Sequence, residues 1–131
     1  MDKRTRILLV DDEDDIRMIA EISLRDVGGF ETMTAESGAE GIATAIAEQP
    51  DLILLDMMMP HMDGMQTLER LRGEERTRKI PVIFMTARAQ RTELETYVAA
   101  GAVGVVTKPF DPMQLANDVR RIVEDAARTG R

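Results

Sequence analysis

The sequence predicts an α/β domain whose parallel sheet is wound on both faces by helices, and two patterns carry that expectation. Short apolar runs recur at Arg6–Val10, Phe30–Thr34, Leu52–Leu55, Val82–Met85 and Val103–Val106, and each gap holds enough residues for one helix. The runs are apolar throughout rather than alternating, as in strands covered on both faces, which is the condition of a parallel sheet. Five strand-then-helix repeats of this kind define the doubly wound class. A length of 131 residues suits one domain, 1–131, with a core over about 5–125 and a short frayed tail from Ala127 to Arg131.

Each helix carries its own start or stop signal. Asp12 is placed to cap the first, whose apolar positions Ile16, Ile19, Ala20, Leu24 and Val27 share a face until Gly28-Gly29 ends it. The second opens on Ser37-x-x-Glu40, a capping-box spacing, and closes before Pro50. Asp63 is placed to cap the third, with Met65, Leu68 and Leu71 inward. A weaker fourth segment runs from about Thr92 to Ala100 and stops at Gly101. Asp111 and Pro112 read as the cap and first residue of the fifth, with Leu115, Val119, Ile122 and Val123 as its buried stripe.

Composition removes several classes of function. With 44% hydrophobic, 31% charged and 3% aromatic residues, the chain reads as globular with an aliphatic and methionine core. The absence of cysteine excludes disulfides, zinc ribbons and thiol catalysis and fits a reducing compartment, so the cytoplasm is expected. No apolar run approaches the ~20 residues of a membrane span, and Met1-Asp2-Lys3-Arg4 leads into a strand rather than a signal-peptide core. A formal charge of −7 disfavours direct contact with nucleic acid, so any effect on transcription would need a partner.

Ligands of parallel α/β sheets bind beyond the carboxyl ends of the strands, and polar residues gather there. The first strand delivers Asp11-Asp12, the third Asp56, the fourth Thr86 and the fifth Lys108. Taken singly, the acids could cap a helix or open a loop, Thr86 could cap a turn and Lys108 could be solvated. Taken together they make a chemical set. Three carboxylates within ~4 Å repel by several kcal/mol per pair at an effective dielectric near ~20, so a cation is required among them. Oxygen donors in a compact site point to Mg²⁺, with Mn²⁺ as the alternative. A fixed charge on Lys108 and a hydroxyl on Thr86 suit the negative oxygens of a transferring phosphoryl group, which leaves Asp56 as the nucleophile.

The run Ile7-Leu8-Leu9-Val10-Asp11-Asp12, the run Asp56-Met57-Met58-Met59-Pro60-His61-Met62-Asp63-Gly64, the pair Thr86-Ala87 and Lys108-Pro109-Phe110 resemble the receiver domains of two-component systems, the CheY-like family. The resemblance reaches to about Val123. It implies a flavodoxin-like strand order 2-1-3-4-5, for which this family is a standard example. It also implies Asp56 as phosphoacceptor, Asp12 and Asp56 as direct Mg²⁺ ligands, Asp11 as a ligand through water and the Met58 carbonyl as a backbone ligand. Lys108 should pair with the phosphoryl oxygens through a loop with a cis Lys108-Pro109 bond, and Thr86 should be the switch hydroxyl. Met58 and Arg88 fall at positions that flank the approach of hydrolytic water, and an apolar Met58 should slow self-dephosphorylation.

The sequence departs from the family at Val105, where an aromatic residue usually stands three positions before the lysine. The face of the fourth helix, fifth strand and fifth helix should therefore respond without a rotating ring at that position. His61 is read as a solvated loop residue, Glu13, Asp14 and Asp15 as a solvated first helical turn with Glu13 near the site, and two of the five Met57–Met65 methionines, which match the family pattern, as packing, with a Met-rich partner surface as the lesser alternative. The resemblance implies a histidine kinase or histidine phosphotransfer protein as donor and an unidentified protein target; as the sequence shows no effector domain, a stand-alone receiver or relay shuttle is expected, with no membrane partner and a weak homodimer as an option. Three rivals are weaker. A haloacid-dehalogenase-type phosphatase would use Asp12-x-Asp14 but lacks the usual threonine and gives Asp56 no role. A pseudo-receiver would not need the complete acid, threonine and lysine set, and a flavin carrier would not have an acidic first loop.

Overall fold

Alternate residues of a strand serve opposite faces of its sheet, and here the two parities fill two separate cores. The computed structural model describes residues 4–129. The strands β1 (Arg6–Val10), β2 (Glu31–Ala35), β3 (Leu52–Asp56), β4 (Val82–Thr86) and β5 (Gly104–Thr107) pair in parallel in the order β2-β1-β3-β4-β5. Between and after them lie α1 (Asp14–Ile22), α2 (Gly38–Glu48), α3 (Gly64–Gly73), α4 (Arg91–Ala99) and α5 (Leu115–Thr129). On one face Ile7, Leu9, Leu54, Ile83 and Met85 meet Ala20 and Leu24 from the first helical segment and Leu115, Ala116 and Val119 from α5. On the other, Leu8, Val10, Ile53, Leu55 and Phe84 meet Ala45 of α2, Leu68 and Leu71 of α3 and Tyr97 of α4. The expected doubly wound class and strand order are both found.

The caps follow the sequence closely in the middle of the chain. Ser37 accepts the Glu40 N–H at 3.1 Å, and α2 ends at Gln49 in a left-handed conformation before Pro50. Asp63 and Gln66 form a reciprocal capping box at the start of α3.

Other boundaries are corrected by the structure. Residue 13, not Asp12, occupies the cap position of α1, because the Asp11 carboxylate takes the Glu13 N–H at 2.9 Å and ends the loop one residue later. A π-helical turn, Ser23–Val27, continues α1. Its wider winding carries Val27 off the apolar stripe; Ala20 and Leu24 are buried, while Val27 and, earlier in the regular helix, Ile19 are exposed. Asp111 opens a turn, accepting from Met113, Gln114 and Leu115, so α5 starts at Leu115 rather than at Pro112. Val123 is exposed, whereas Ile122 packs on the core beside Gly104. Residues Ala127–Thr129 are helical rather than frayed, while Gly130, Arg131 and Met1–Lys3 lie outside the described residues. β2 is an edge strand and mostly not buried, so Glu31, Thr32 and Thr34 interrupt the apolar run there.

The chain passes tightly beneath the loop after β3. A Cβ on Gly64 would stand 2.8 Å from both the Asp56 carbonyl and the Met57 Cα, backbone atoms that cannot swing aside. Gly64→Ala is expected to destabilise the protein by about 1–3 kcal/mol, read as a lower urea midpoint with an unchanged slope.

Candidate functional site

The register of β3 against its neighbours creates the site. Val10 lies level with Leu55, so the next residues, Asp11 and Asp56, stand side by side at the carboxyl edge. Thr86 ends β4 level with Thr107 of β5, and Lys108 follows immediately. The Lys108 N–H donates to the Thr86 carbonyl at 2.9 Å, and the Met57 N–H to the Met85 carbonyl at 2.9 Å, which fixes both loops onto β4. The Lys108-Pro109 bond is cis, as expected.

The side chains of Asp11, Asp56 and Lys108 form one charged unit. Asp11 is fully buried and Asp56 is 2% exposed. The Lys108 ammonium lies 3.1 Å from Asp11 Oδ2, 3.1 Å from Asp56 Oδ1 and 3.9 Å from Glu13. Asp56 Oδ1 also accepts the Met58 N–H at 3.3 Å. The exposed carboxylate of Asp12 completes a trio whose oxygens lie within 4.8 Å of one another. Three oxygen donors at one sheet edge, one of them open to solvent, fit a hard divalent cation such as Mg²⁺.

The electrostatics follow from this packing. Burial first, and then repulsion from Asp11, push the Asp56 carboxyl up to about 6, against the opposing pull of Lys108 and the Met58 N–H. Burial disfavours the charge on Lys108, yet its hydrogen bonds and attraction to Asp11 and Asp56 outweigh that and hold its pKa above the ordinary value.

The remaining sequence candidates are placed as follows. Thr86 is buried, and its Oγ1 accepts the Arg88 N–H at 3.0 Å. The Met58 side chain is 71% exposed, and its backbone N–H is bonded to Asp56. The Arg88 side chain is exposed and pairs with Glu93 at 3.9 Å, so its backbone rather than its guanidinium is tied to the site. Val105 is half-buried against the core that holds Phe84 and Tyr97. His61 is an exposed loop residue in a left-handed conformation, φ 69°. Met57 and Met59 are buried, so packing accounts for them.

The role of Arg17 and the inward seat of Tyr97 were not legible in advance. The Arg17 guanidinium donates to the Asp11 carbonyl at 2.8 Å, pairs with Asp14 and lies 3.8 Å from Glu36, tying the acidic loop to α1. Its position one turn into the helix was the available signal. Tyr97 is buried at the other end of the β4 loop, and its hydroxyl donates to the Arg88 carbonyl at 3.2 Å.

A pH dependence follows from Asp56 in the metal-free protein. Its folded pKa, about 6, exceeds the unfolded value of 3.8, so the native state binds more protons between them. Stability from this group is present below about pH 4 and is lost as pH rises through about 6, a change on the order of 3 kcal/mol. Urea titrations across that window are expected to show the fall, and Asp56→Asn is expected to remove it and stabilise the metal-free protein at pH 7.

Comparison with known proteins bears on the identity of the domain. The family profile described as "Response regulator receiver domain" matches residues 7–120. The DNA-binding dual master transcriptional regulator RpaA of Synechocystis sp. is 39% identical over 118 residues, which are 90% of this chain and 48% of that protein. The phosphate regulon transcriptional regulatory protein PhoB of Pseudomonas aeruginosa is 36% identical, over 95% of this chain and 52% of its own. The chain thus spans about half the length of the curated relatives it matches. Among solved structures, the chemotaxis response regulator CheY4 of Vibrio cholerae superposes with a TM-score of 0.85 at 30% identity, covering 92% of this chain and 99% of that one. A response regulator from Desulfuromonas acetoxidans gives a TM-score of 0.80 at 26% identity, covering 92% and 97%. Sequence profile, relatives and architecture agree, and the chain belongs to the response regulator receiver domains of two-component signal transduction.

Proposed function

We propose that this domain accepts a phosphoryl group on Asp56 from a histidine kinase or a histidine phosphotransfer protein and thereby changes a partner-binding face. The observation that carries the reading is the buried Asp56 carboxylate at the end of the central strand, with Lys108 3.1 Å from it and Asp11 alongside. Asp11, Asp12, Asp56 and the Met58 carbonyl would hold Mg²⁺, which supplies positive charge against the carboxylates and the incoming anion. In the transfer, an Asp56 oxygen forms a bond to phosphorus as the phosphorus–nitrogen bond of the donor breaks, and the imidazole leaves with that electron pair. Lys108 is within reach of the new oxygens, and Thr86 offers a hydroxyl. At pH 7 a carboxyl near 6 is largely ionised and serves as the nucleophile.

The phosphatase reading finds little support, because Asp14 is paired with Arg17 and the acids that cluster are Asp11, Asp12 and Asp56. The receiver catalyses only its own phosphorylation and dephosphorylation on this proposal, and a protein target reads the result. The net charge of −7 argues against direct nucleic-acid contact by this domain, although RpaA is named as DNA-binding. Among the described residues no helix is long and apolar enough to cross a membrane. A cytoplasmic location, beside the kinase catalytic machinery, belongs to the same proposal.

Incubation with acetyl phosphate and Mg²⁺ is expected to add the mass of one phosphoryl group. Asp56→Asn or excess chelator should abolish the gain, and a gain that persists in Asp56→Asn would overturn the reading. The exposed, apolar Met58 gives water no hydrogen bond beside the phosphoacceptor. Met58→Asn is accordingly expected to shorten the phosphoryl half-life several-fold in a time course of intact mass, and an unchanged half-life would exclude that role.

A further inference from the structure

Three consecutive methionines follow Asp56, and the middle one stands apart from the others. Met57 is 7% exposed and Met59 8%, both packed in the core beneath the sheet edge, whereas Met58 is 71% exposed. The backbone of Met58 nevertheless stays at the site, where its N–H donates to Asp56 Oδ1 at 3.3 Å. Lys108 and the buried Asp11 close the inner side of the same carboxylate. Water approaching a group attached to Asp56 must therefore come from the solvent side. Met58 has an unbranched side chain with three rotatable bonds, which can reach across that side. Met18 on α1 and Met113 before α5 are also exposed, at 56% and 64%, and offer internal comparisons.

We propose that Met58 is a peroxide-sensitive modification site whose sulfoxide shortens the life of a phosphoryl group on Asp56. The proposal rests on the reading of Asp56 as phosphoacceptor. In the step, a lone pair of the sulfur forms a bond to one oxygen of hydrogen peroxide as the O–O bond breaks. The thioether is oxidised by two electrons to the sulfoxide, and the peroxide is reduced to water. A thioether is a weak hydrogen-bond acceptor, whereas the sulfoxide is polar and carries an oxygen that accepts readily. On the solvent side of Asp56 that oxygen holds a water beside the phosphorus, which the unmodified side chain does not do. The Asp56 carboxylate, Lys108 and the Met58 carbonyl are chemically unchanged, so phosphoryl uptake persists while its lifetime falls. Burial shields Met57 and Met59, so the packing under the loop survives the treatment. Enzymatic reduction of the sulfoxide returns the thioether, which makes the change reversible.

The full chain is treated with graded hydrogen peroxide, cleared with catalase and mapped by peptide mass. It is then phosphorylated with acetyl phosphate and Mg²⁺, and intact mass is followed once the acetyl phosphate is removed. Met58 is expected to oxidise alongside Met18 and Met113 and well ahead of Met57 and Met59. The phosphoryl half-life should fall by roughly fivefold, the factor of one hydrogen bond. Across the doses the short-lived fraction should track the Met58 sulfoxide, and a methionine sulfoxide reductase should restore the longer half-life. In Met58→Leu, which cannot be oxidised at that position, peroxide should leave the variant's own half-life unaltered while Met18 and Met113 still oxidise. Complete oxidation of Met58 with an unchanged half-life would overturn the proposal, as would a Met58 no more reactive than Met57. Equal shortening in Met58→Leu would place the effect elsewhere and defeat it too. Each of these outcomes leaves the Asp56 reading standing, because untreated protein still takes up phosphoryl; absence of uptake there would overturn both. The dose series on the wild type decides the matter even if the variant does not fold.

Discussion

Two carboxylates at one sheet edge, both removed from solvent, repel each other, and the Lys108 ammonium 3.1 Å from each is what makes their proximity tolerable. Burying charges costs more than their attraction returns unless the geometry is good and the other lone pairs are satisfied. Here the remaining bonds are supplied by backbone: the Glu13 N–H to Asp11 and the Met58 N–H to Asp56. The arrangement depends in turn on register. A slip of one residue in β3 would send Asp56 to the opposite face of the sheet and dismantle the unit. The apolar packing of both faces therefore secures the charged edge as well as the stability of the domain.

That unit also explains why Asp56 combines burial with ionisation. Its carboxyl is destabilised as an anion by burial and by Asp11, while Lys108 opposes both. A cation among the acids would remove the penalty, and so would esterification of the carboxyl. On the proposed function, the cost of the metal-free anion and the gain on esterification are two views of the same imbalance of charge.

Much of this was legible in the chain. The apolar runs placed the central strands to within a residue, because β1, β3 and β4 are buried on both sides and alternation is suppressed. The polar residues closing those runs identified the site edge, since a parallel sheet has only one end at which they can meet. Legibility failed where tertiary contacts overrode local signals. Asp12 looked like a cap, but Asp11 took the Glu13 N–H; Val27 fitted a regular helix, but the π-helical turn rotated it outward. Arg17 gave no motif, because what it holds is a backbone carbonyl six residues earlier. Tyr97 was visible as the lone tyrosine, yet its inward seat depends on the space left around Phe84 and Val105, which no local pattern encodes.

The slender attachment of α4 has an evolutionary consequence. Only Tyr97 of its nine residues is buried and Glu93 and Leu94 are half-buried, so exchange of the six exposed ones leaves packing, register and the acidic edge undisturbed. The lineage can therefore rewrite the exposed chemistry of this helix without first acquiring compensating changes elsewhere. The acids and Lys108 have no such freedom, since each is constrained by the other two. Divergence should accumulate on one flank of the domain while its charged edge stays fixed, and duplicated copies could drift apart in recognition before they drift apart in chemistry.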